Sequence, residues 1–375
     1  MLAARCLWSK RRSAQDVVVT RPSFPRSFAE FQAWFPDEAA CHRYLVRSRW
    51  SDGFVCRSCG HTVGYEFRRR VKSRSRATVP PSDHFRVLWE CASCHRQTSL
   101  TAATILDATK LPLTTWFWAA FLVATDKRGP SALLLDRQLG IGDHKSAWFL
   151  LHKLRRAMVN ANRTMLRGIV EIDGTFVGGY QPGLKGGRQQ KARKAAMVLV
   201  GVEVQPYSRL DRKSGQESER ERSGRVRMTV VRAENAEAIG AFIEANVEPG
   251  STVRSDGLWD YVTATRELGF AHDRRVQGDI RKTGQVVRHA HQAIANLKSW
   301  LIGTHHGVGR PHLQAYLDEF VFRFNRRGNP EAAFQTLLGL GSTHAPVRWA
   351  TITGAQDLPY YYAGDEVPDE NDVTA

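Results

Sequence analysis

Apolar residues recur at helical spacing along the first part of the chain, lose that spacing over one long stretch, and later form short strand-like runs. Phe28, Phe31, Trp34 and Phe35 mark the first helical pattern, which continues past Pro36 and predicts helix across residues 27–50. Between residues 53 and 99 the helical period almost vanishes. It returns after Pro112, over residues 116–124, 131–139 and 145–160. Beyond Met165 the runs are rich in Val, Ile and Met, which predicts strands over 168–177, 196–204 and 226–232. Residues 205–224, dense in Arg, Lys, Glu and Ser, read as a mobile hairpin loop joining the last two, whose basic residues either touch DNA or are merely solvated. A helix over 233–245, a short strand over 251–255, and helices over 258–268, 285–302 and 311–326 follow. The acidic, proline-containing tail 364–375 is expected to be disordered.

Three strands, then helix, strand and helix, is the opening order of a ribonuclease-H-like mixed sheet of the α/β class, although other α/β folds begin the same way. A chain of 375 residues that is 42% hydrophobic is long and apolar enough for two or three domains with cores of their own. No apolar run reaches the roughly 18–20 residues of a membrane span. The start carries Arg5, Lys10, Arg11 and Arg12 without an apolar stretch, so it reads as a basic leader and a cytoplasmic protein is expected.

Charge narrows the partner. Lys and Arg number 54 against 37 Asp and Glu, a formal net charge of +17. Such an excess favours a polyanion, because each neutralised phosphate releases a condensed counterion. It points to nucleic acid and to no particular reaction.

Six cysteines occur, and four of them form two pairs, Cys56-Arg-Ser-Cys59 and Cys91-Ala-Ser-Cys94. Two such knuckles place four thiolates around one tetrahedral Zn²⁺, so a structural zinc ribbon is expected. The 31 residues between the knuckles include a basic excursion over 68–81. Zinc there would supply folding energy to a segment with little core. Cys41 reads as a packing residue, and Cys6 has no assigned role.

After the knuckles, residues 131–148 read as a helix-turn-helix. Gly140 ends the first helix and Asp143 caps the second, which carries Lys145, Arg155 and Arg156. In such modules the second helix enters the major groove, so these three residues are expected to touch DNA.

The carboxylates supply the chemistry. Glu171-Ile-Asp173 lies within the first strand of the α/β segment, where a buried carboxylate is costly unless it is hydrogen-bonded or binds metal. Glu171 and Asp173 share one strand face, so either is eligible as a ligand. Asp256 ends a later strand just before a helix. Adjacent strands bring two such carboxylates close enough to share divalent ions, as two-metal phosphoryl transfer requires. On the helix that follows, His291 and Lys298 are seven residues apart and share a face. Asn296 points about 140° away from His291.

These residues carry a resemblance. The chain resembles the zinc-ribbon transposases of bacterial insertion sequences, the ISXO-like group with a DDE-type core. The carrying motifs are the two cysteine knuckles, Glu171-Ile-Asp-Gly-Thr-Phe-Val-Gly-Gly179, Ser255-Asp-Gly257, and the run from Asn296-Leu-Lys-Ser-Trp through His312 to Arg327. The resemblance implies a ribonuclease-H-like fold, a pair of Mg²⁺ (or Mn²⁺) ions, cleavage at terminal inverted repeats and transfer of the freed 3′-OH into target DNA. It places Asp173 and Asp256 at the first two acidic positions. The third, usually a carboxylate, falls on His291, with Asn296 as the competing assignment; Lys298 would hold a phosphate. Imidazole offers one nitrogen where Glu offers two oxygens, so His291 is expected to bind the second ion more weakly, to accept Mn²⁺, or to act on the attacking water instead. His305-His306 is read as a turn. Since two DNA ends must be held together, a homodimer or higher assembly on double-stranded DNA is expected. The organisation that follows is a basic leader (1–26), a ribbon with a preceding helix (27–110), a helical DNA-binding segment (111–164), a catalytic domain (165–345) and a tail (346–375).

Overall fold

The computed structural model describes residues 24–70, 85–159, 163–178, 195–210, 216–276, 278 and 286–353. Nearly all of the expected basic leader, most of the basic excursion between the knuckles and the acidic tail lie outside the described residues.

The first unit is a helical bundle. Helices α1 (Phe28–Trp34) and α2 (Glu38–Arg49) begin at Ser27 and Asp37, whose side chains accept from the backbone N–H groups of Glu30 and Ala40. Helix α3 (Leu113–Thr125) is apolar around most of its circumference and is accordingly buried on nearly every side. Helices α4 (Ala132–Leu139) and α5 (His144–Ala157) meet at the expected turn. Gly140 takes the left-handed conformation (φ 59°, ψ 39°), and Asp143 caps α5 through Lys145 N and Ser146 N. Between α2 and α3 lies a three-stranded antiparallel sheet, β1 (Gly64–Arg70), β2 (Phe85–Cys91) and β3 (Gln97–Ser99).

The second unit is a five-stranded sheet of β4 (Ile169–Val177), β5 (Ala196–Leu210), β6 (Glu217–Val231), β7 (Thr252–Ser255) and β8 (Ala271–Arg274). Its order is β6-β5-β4-β7-β8, antiparallel across the first three and parallel from β4 to β8. Helices α6 (Ala236–Asn246) and α7 (Trp259–Glu267) cover one face over Val170, Ile172, Leu199 and Val253. Helices α8 (Arg288–His305) and α9 (Leu313–Asn325) cover the other over Val177, Val198, Val200 and Val202. Residues 196–204 are therefore buried on both sides, which explains a nearly unbroken apolar run.

Two expectations change at this level. Residues 205–224 are not simply a loop: β5 and β6 continue as a paired ribbon out to Leu210 and Glu217, with a bulge between Val202 and Val204. The polar texture marks where the ribbon leaves the core, while backbone pairing goes on without apolar burial. The second change concerns α10 (Pro330–Thr343), which was not expected. Its Phe334 packs among Phe31, Phe35, Tyr44, Phe117 and Phe121, so the chain returns to close the first bundle instead of ending on the sheet. A short helix, α11 (Trp349–Ile352), follows.

Arg155 joins the two units and corrects a site expectation. Its Nε donates to Glu319 Oε2 of α9 at 2.8 Å, both side chains are 1% exposed, and its guanidinium lies 3.8 Å from the Tyr316 ring centroid. A side chain so enclosed is out of reach of a duplex. More than half of α5 is buried in this way, including Leu150, Leu151 and Leu154, leaving its N-terminal turn as the free part.

Breaking this pair strands a charge in the interior, at a cost of about 3–5 kcal/mol. Glu319→Ala is expected to lower unfolding stability by that amount in urea titration of the full chain. The double variant Arg155→Met/Glu319→Leu is expected to recover most of it; equal loss in single and double variants would contradict the assignment.

Candidate metal centres

The ribbon brings all four paired cysteines together. Their sulfurs lie within 4.8 Å of one another, with Cys56 Sγ 3.6 Å from Cys94 Sγ and Cys59 Sγ 3.6 Å from Cys91 Sγ. A tetrahedron with Zn–S bonds of about 2.3 Å has edges of about 3.8 Å, so the cluster fits a structural Zn²⁺. The backbone amides of Cys59 and Ser58 point at the Cys56 sulfur and hold its pKa down to about 6. Cys91 is lowered in the same manner, first by the amide of Cys94. The first cysteine of each knuckle thus favours the thiolate that a metal needs, whereas the Cys59 thiol, despite the His61 amide, is pushed up to about 12 by the sulfurs crowded around it and by burial. Apart from the cysteines, the ribbon core is little more than Phe54, Trp50 and Trp89, so metal supplies what packing does not. Cys41 is buried in the helical core, as its sequence context suggested.

The second centre forms where β4, β7 and α8 converge. Parallel pairing sets Ile169 opposite Thr252 and Glu171 opposite Arg254. Continued by two residues, that register brings Asp173 level with Asp256, just past the end of β7. Asp256 is exposed and turns the chain into α7, accepting from Leu258 N at 3.2 Å. Gly257 between them has φ +99°, and a Cβ there would stand 3.0 Å from Val276, so only glycine suits this turn. Arg274 fastens the same loop through two hydrogen bonds to Gly257 O. From α8, His291 Nε2 reaches Asp173 Oδ2 at 3.2 Å. That hydrogen bond, with the charges of Asp173, Glu171 and Asp256, raises the His291 pKa against the opposing effect of burial. Two carboxylates and one imidazole therefore occupy a common electrostatic neighbourhood. Lys298 lies two turns further along α8, half-buried.

Glu171 behaves differently from Asp173. It is 1% exposed, and its Oε2 accepts from the backbone N–H groups of His289 (2.7 Å) and Ala290 (3.0 Å), while Oε1 faces Arg254 Nη1 at 3.3 Å. Glu171, Glu221 and His289 also gather ligand atoms within 4.8 Å. The Arg254 guanidinium already lies against both carboxylates and Arg288 stands 4.0 Å from Glu221, so cations of the chain itself face this pair. On the other face of β4, the Glu234 carboxylate sits where a Gly174 Cβ would be and accepts from Tyr261 Oη at 2.8 Å. Burial, with the charges of Glu234, Asp173 and Asp256, raises the Tyr261 pKa well above its usual value.

The remaining expected residues scatter. Asn296 shares with Gln292 the wall of an open groove of about 1460 Å³ between α8 and the projecting β5–β6 ribbon. Arg220, Arg222, Arg275, Arg288 and Arg327 line that groove with Glu219 and Glu221. Lys145 is exposed and lies 4.5 Å from the Trp349 ring. Arg156 is half-buried at the end of α5. Sequence reasoning offered the ribbon's basic residues as DNA contacts but missed the groove they help to line, and it missed Glu234. Ribbon arginines alternate with glutamates, a pattern that leaves DNA contact and mere solvation equally open, and Glu234 belongs to no recognisable spacing.

Residues 165–325 match the ISXO2-like transposase domain, and residues 36–97 match the transposase zinc-ribbon domain. No curated protein matches the chain. No helix among the described residues is long and apolar enough to cross a membrane.

A zinc ribbon of this geometry predicts one equivalent of zinc by elemental analysis of the purified full chain. Cys91→Ser should lose most of that zinc and lower the melting temperature of the ribbon. Full zinc retention in Cys91→Ser would count against a four-cysteine site.

Proposed function

We propose that this chain, which belongs to the ISXO-like zinc-ribbon transposases, is a metal-dependent DNA transposase that cuts at terminal inverted repeats and joins the freed 3′-OH to target DNA. The reading places its catalytic unit on a ribonuclease-H-like sheet, and the order β6-β5-β4-β7-β8 supports it. One observation carries the reading most: the parallel register of β4 and β7, continued by two residues, sets Asp173 level with Asp256 just past the end of β7, and His291 meets Asp173 from α8.

Asp173 and Asp256 present hard carboxylate oxygens, the donor type that Mg²⁺ and Mn²⁺ accept. When bound, two such ions polarise the attacking water or 3′-OH and stabilise the leaving oxygen of an in-line displacement. His291 gives up the proton favoured by Asp173 before its Nε2 has a lone pair to offer. Its hydrogen bond to Asp173 and its separation from the groove make it the preferred third residue over Asn296. Lys298, on the same helix face, is assigned to a phosphate near the cut.

Holding DNA falls to several surfaces. The groove beneath the β5–β6 ribbon offers arginines to phosphates and the rings of Tyr207 and Phe324 to bases. Lys145, at the free N-terminal turn of α5, and Arg156 remain DNA contacts in this proposal, and the zinc ribbon is a docking module. Two copies of the chain would hold the two ends of the element.

The test uses purified protein, Mg²⁺ or Mn²⁺, and a labelled inverted-repeat end. The parent is expected to cut and join, Asp173→Asn and Asp256→Asn to lose at least about a hundredfold in rate, and His291→Ala to lose more than Asn296→Ala. Specific binding without cutting by the parent would identify an inactive DNA-binding relative. Nicking without joining would identify a nuclease.

A further inference from the structure

The three residues of the catalytic centre sit on three separate elements, and one buried ion pair lies directly beneath them. Glu171 is two residues before Asp173 on β4, and Arg254 is two residues before Asp256 on β7. The register pairs them across the parallel ladder, and Arg254 Nη1 faces Glu171 Oε1 at 3.3 Å with 4% and 1% of the two side chains exposed. The other oxygen of Glu171 accepts from His289 N and Ala290 N, in the first turn of α8, immediately before His291. Arg254 extends the same network outward, from its Nε to Asp273 on β8 at 2.8 Å and from Nη1 to Glu221 on β6 at 3.4 Å.

We propose that Glu171 and Arg254 are positioning residues for the metal site: their buried pair, with the two α8 amides, holds β4, β7 and α8 at the spacing that lets Asp173, Asp256 and His291 share ions. The inference rests on reading those three as the metal-holding residues. Glu171 is unsuited to be a ligand itself. Its oxygens are committed to two amides and a guanidinium, and a carboxylate so bound has little left to offer an ion. It suits α8, because an anion at a helix N-terminus satisfies amides that lack intrahelical partners and complements the helix dipole. The helix therefore enters at a fixed height against β4, and His291, one residue after the clamped amides, arrives beside Asp173. Losing a partner that orients a ligand typically costs 10- to 100-fold in metal affinity.

Mn²⁺ titration of the purified full chain, with free Mn²⁺ counted by electron paramagnetic resonance, reads the site without DNA and without turnover. Glu171→Leu and Arg254→Met are each expected to weaken Mn²⁺ binding about tenfold or more. Glu171→Gln keeps an acceptor for the two amides and should lose less than Glu171→Leu. The paired variant Glu171→Leu/Arg254→Met separates positioning from folding. It strands neither member of the pair, so its melting temperature should rise above that of either single variant, short of the parent because Glu221, Asp273 and the two α8 amides each lose a partner, while its Mn²⁺ affinity stays low. Recovery of both quantities in the paired variant, or unchanged affinity in Glu171→Leu, would overturn the proposal. Failure of the parent to bind Mn²⁺, or binding that survives in Asp173→Asn, would instead overturn the underlying assignment of the metal residues and the proposal with it.

Discussion

Much of the catalytic unit depends on how one carboxylate is neutralised. Glu171 lies in the middle of a strand with water excluded, a position where an unpaired charge costs several kcal/mol. Arg254 and the first turn of α8 meet that charge from two directions. The consequence is geometric as well as energetic. A parallel neighbour and a crossing helix are tied to the central strand at one level, and the exposed chemistry is built two residues further along. Asp256 is then free to stand at a glycine turn, fastened from outside by Arg274, because the strand beneath it is already fixed.

Much of this was legible in the sequence. The knuckle spacing announced the four-sulfur cluster, Gly140 and Asp143 announced the turn between α4 and α5, and the Val-rich runs announced β4 to β6. His291 and Asn296 lie on different faces of one helix by their spacing, and His291 meets Asp173 while Asn296 lines the groove. What was not legible depends on non-local partners. Glu171 and Asp173 are indistinguishable by strand parity; only the arrival of α8 and Arg254 tells them apart. The β8 segment, Ala-His-Asp-Arg, has no apolar alternation, and its pairing comes from the vacant edge of β7. The helix α10 reads as part of what precedes it in sequence, yet its aromatic partner set lies some three hundred residues earlier, around Phe31.

Charge shows the same limit. A net charge of +17 favours a polyanionic partner without saying which cations face it. Arg155, on a helix that reads as a groove reader, is consumed by Glu319 and Tyr316 at the seam between the two units. Arginines on the β5–β6 ribbon, for which the sequence leaves DNA contact and mere solvation both open, line the large groove beside α8. The bundle, the ribbon and the sheet thus form a scaffold in which basic residues divide between structural pairing and open surface.

In the proposed arrangement Asp173, Asp256 and His291 hold the ions while Glu171 and Arg254 hold those residues. Anomalous diffraction from crystals of the full chain grown with Mn²⁺ tests this directly. A peak shared by the carboxylates of Asp173 and Asp256 is expected, with His291 alongside and Glu171 still bonded to the α8 amides. A peak among Glu171, Glu221 and His289, or an ion reached by Asn296 with His291 turned away, would contradict it.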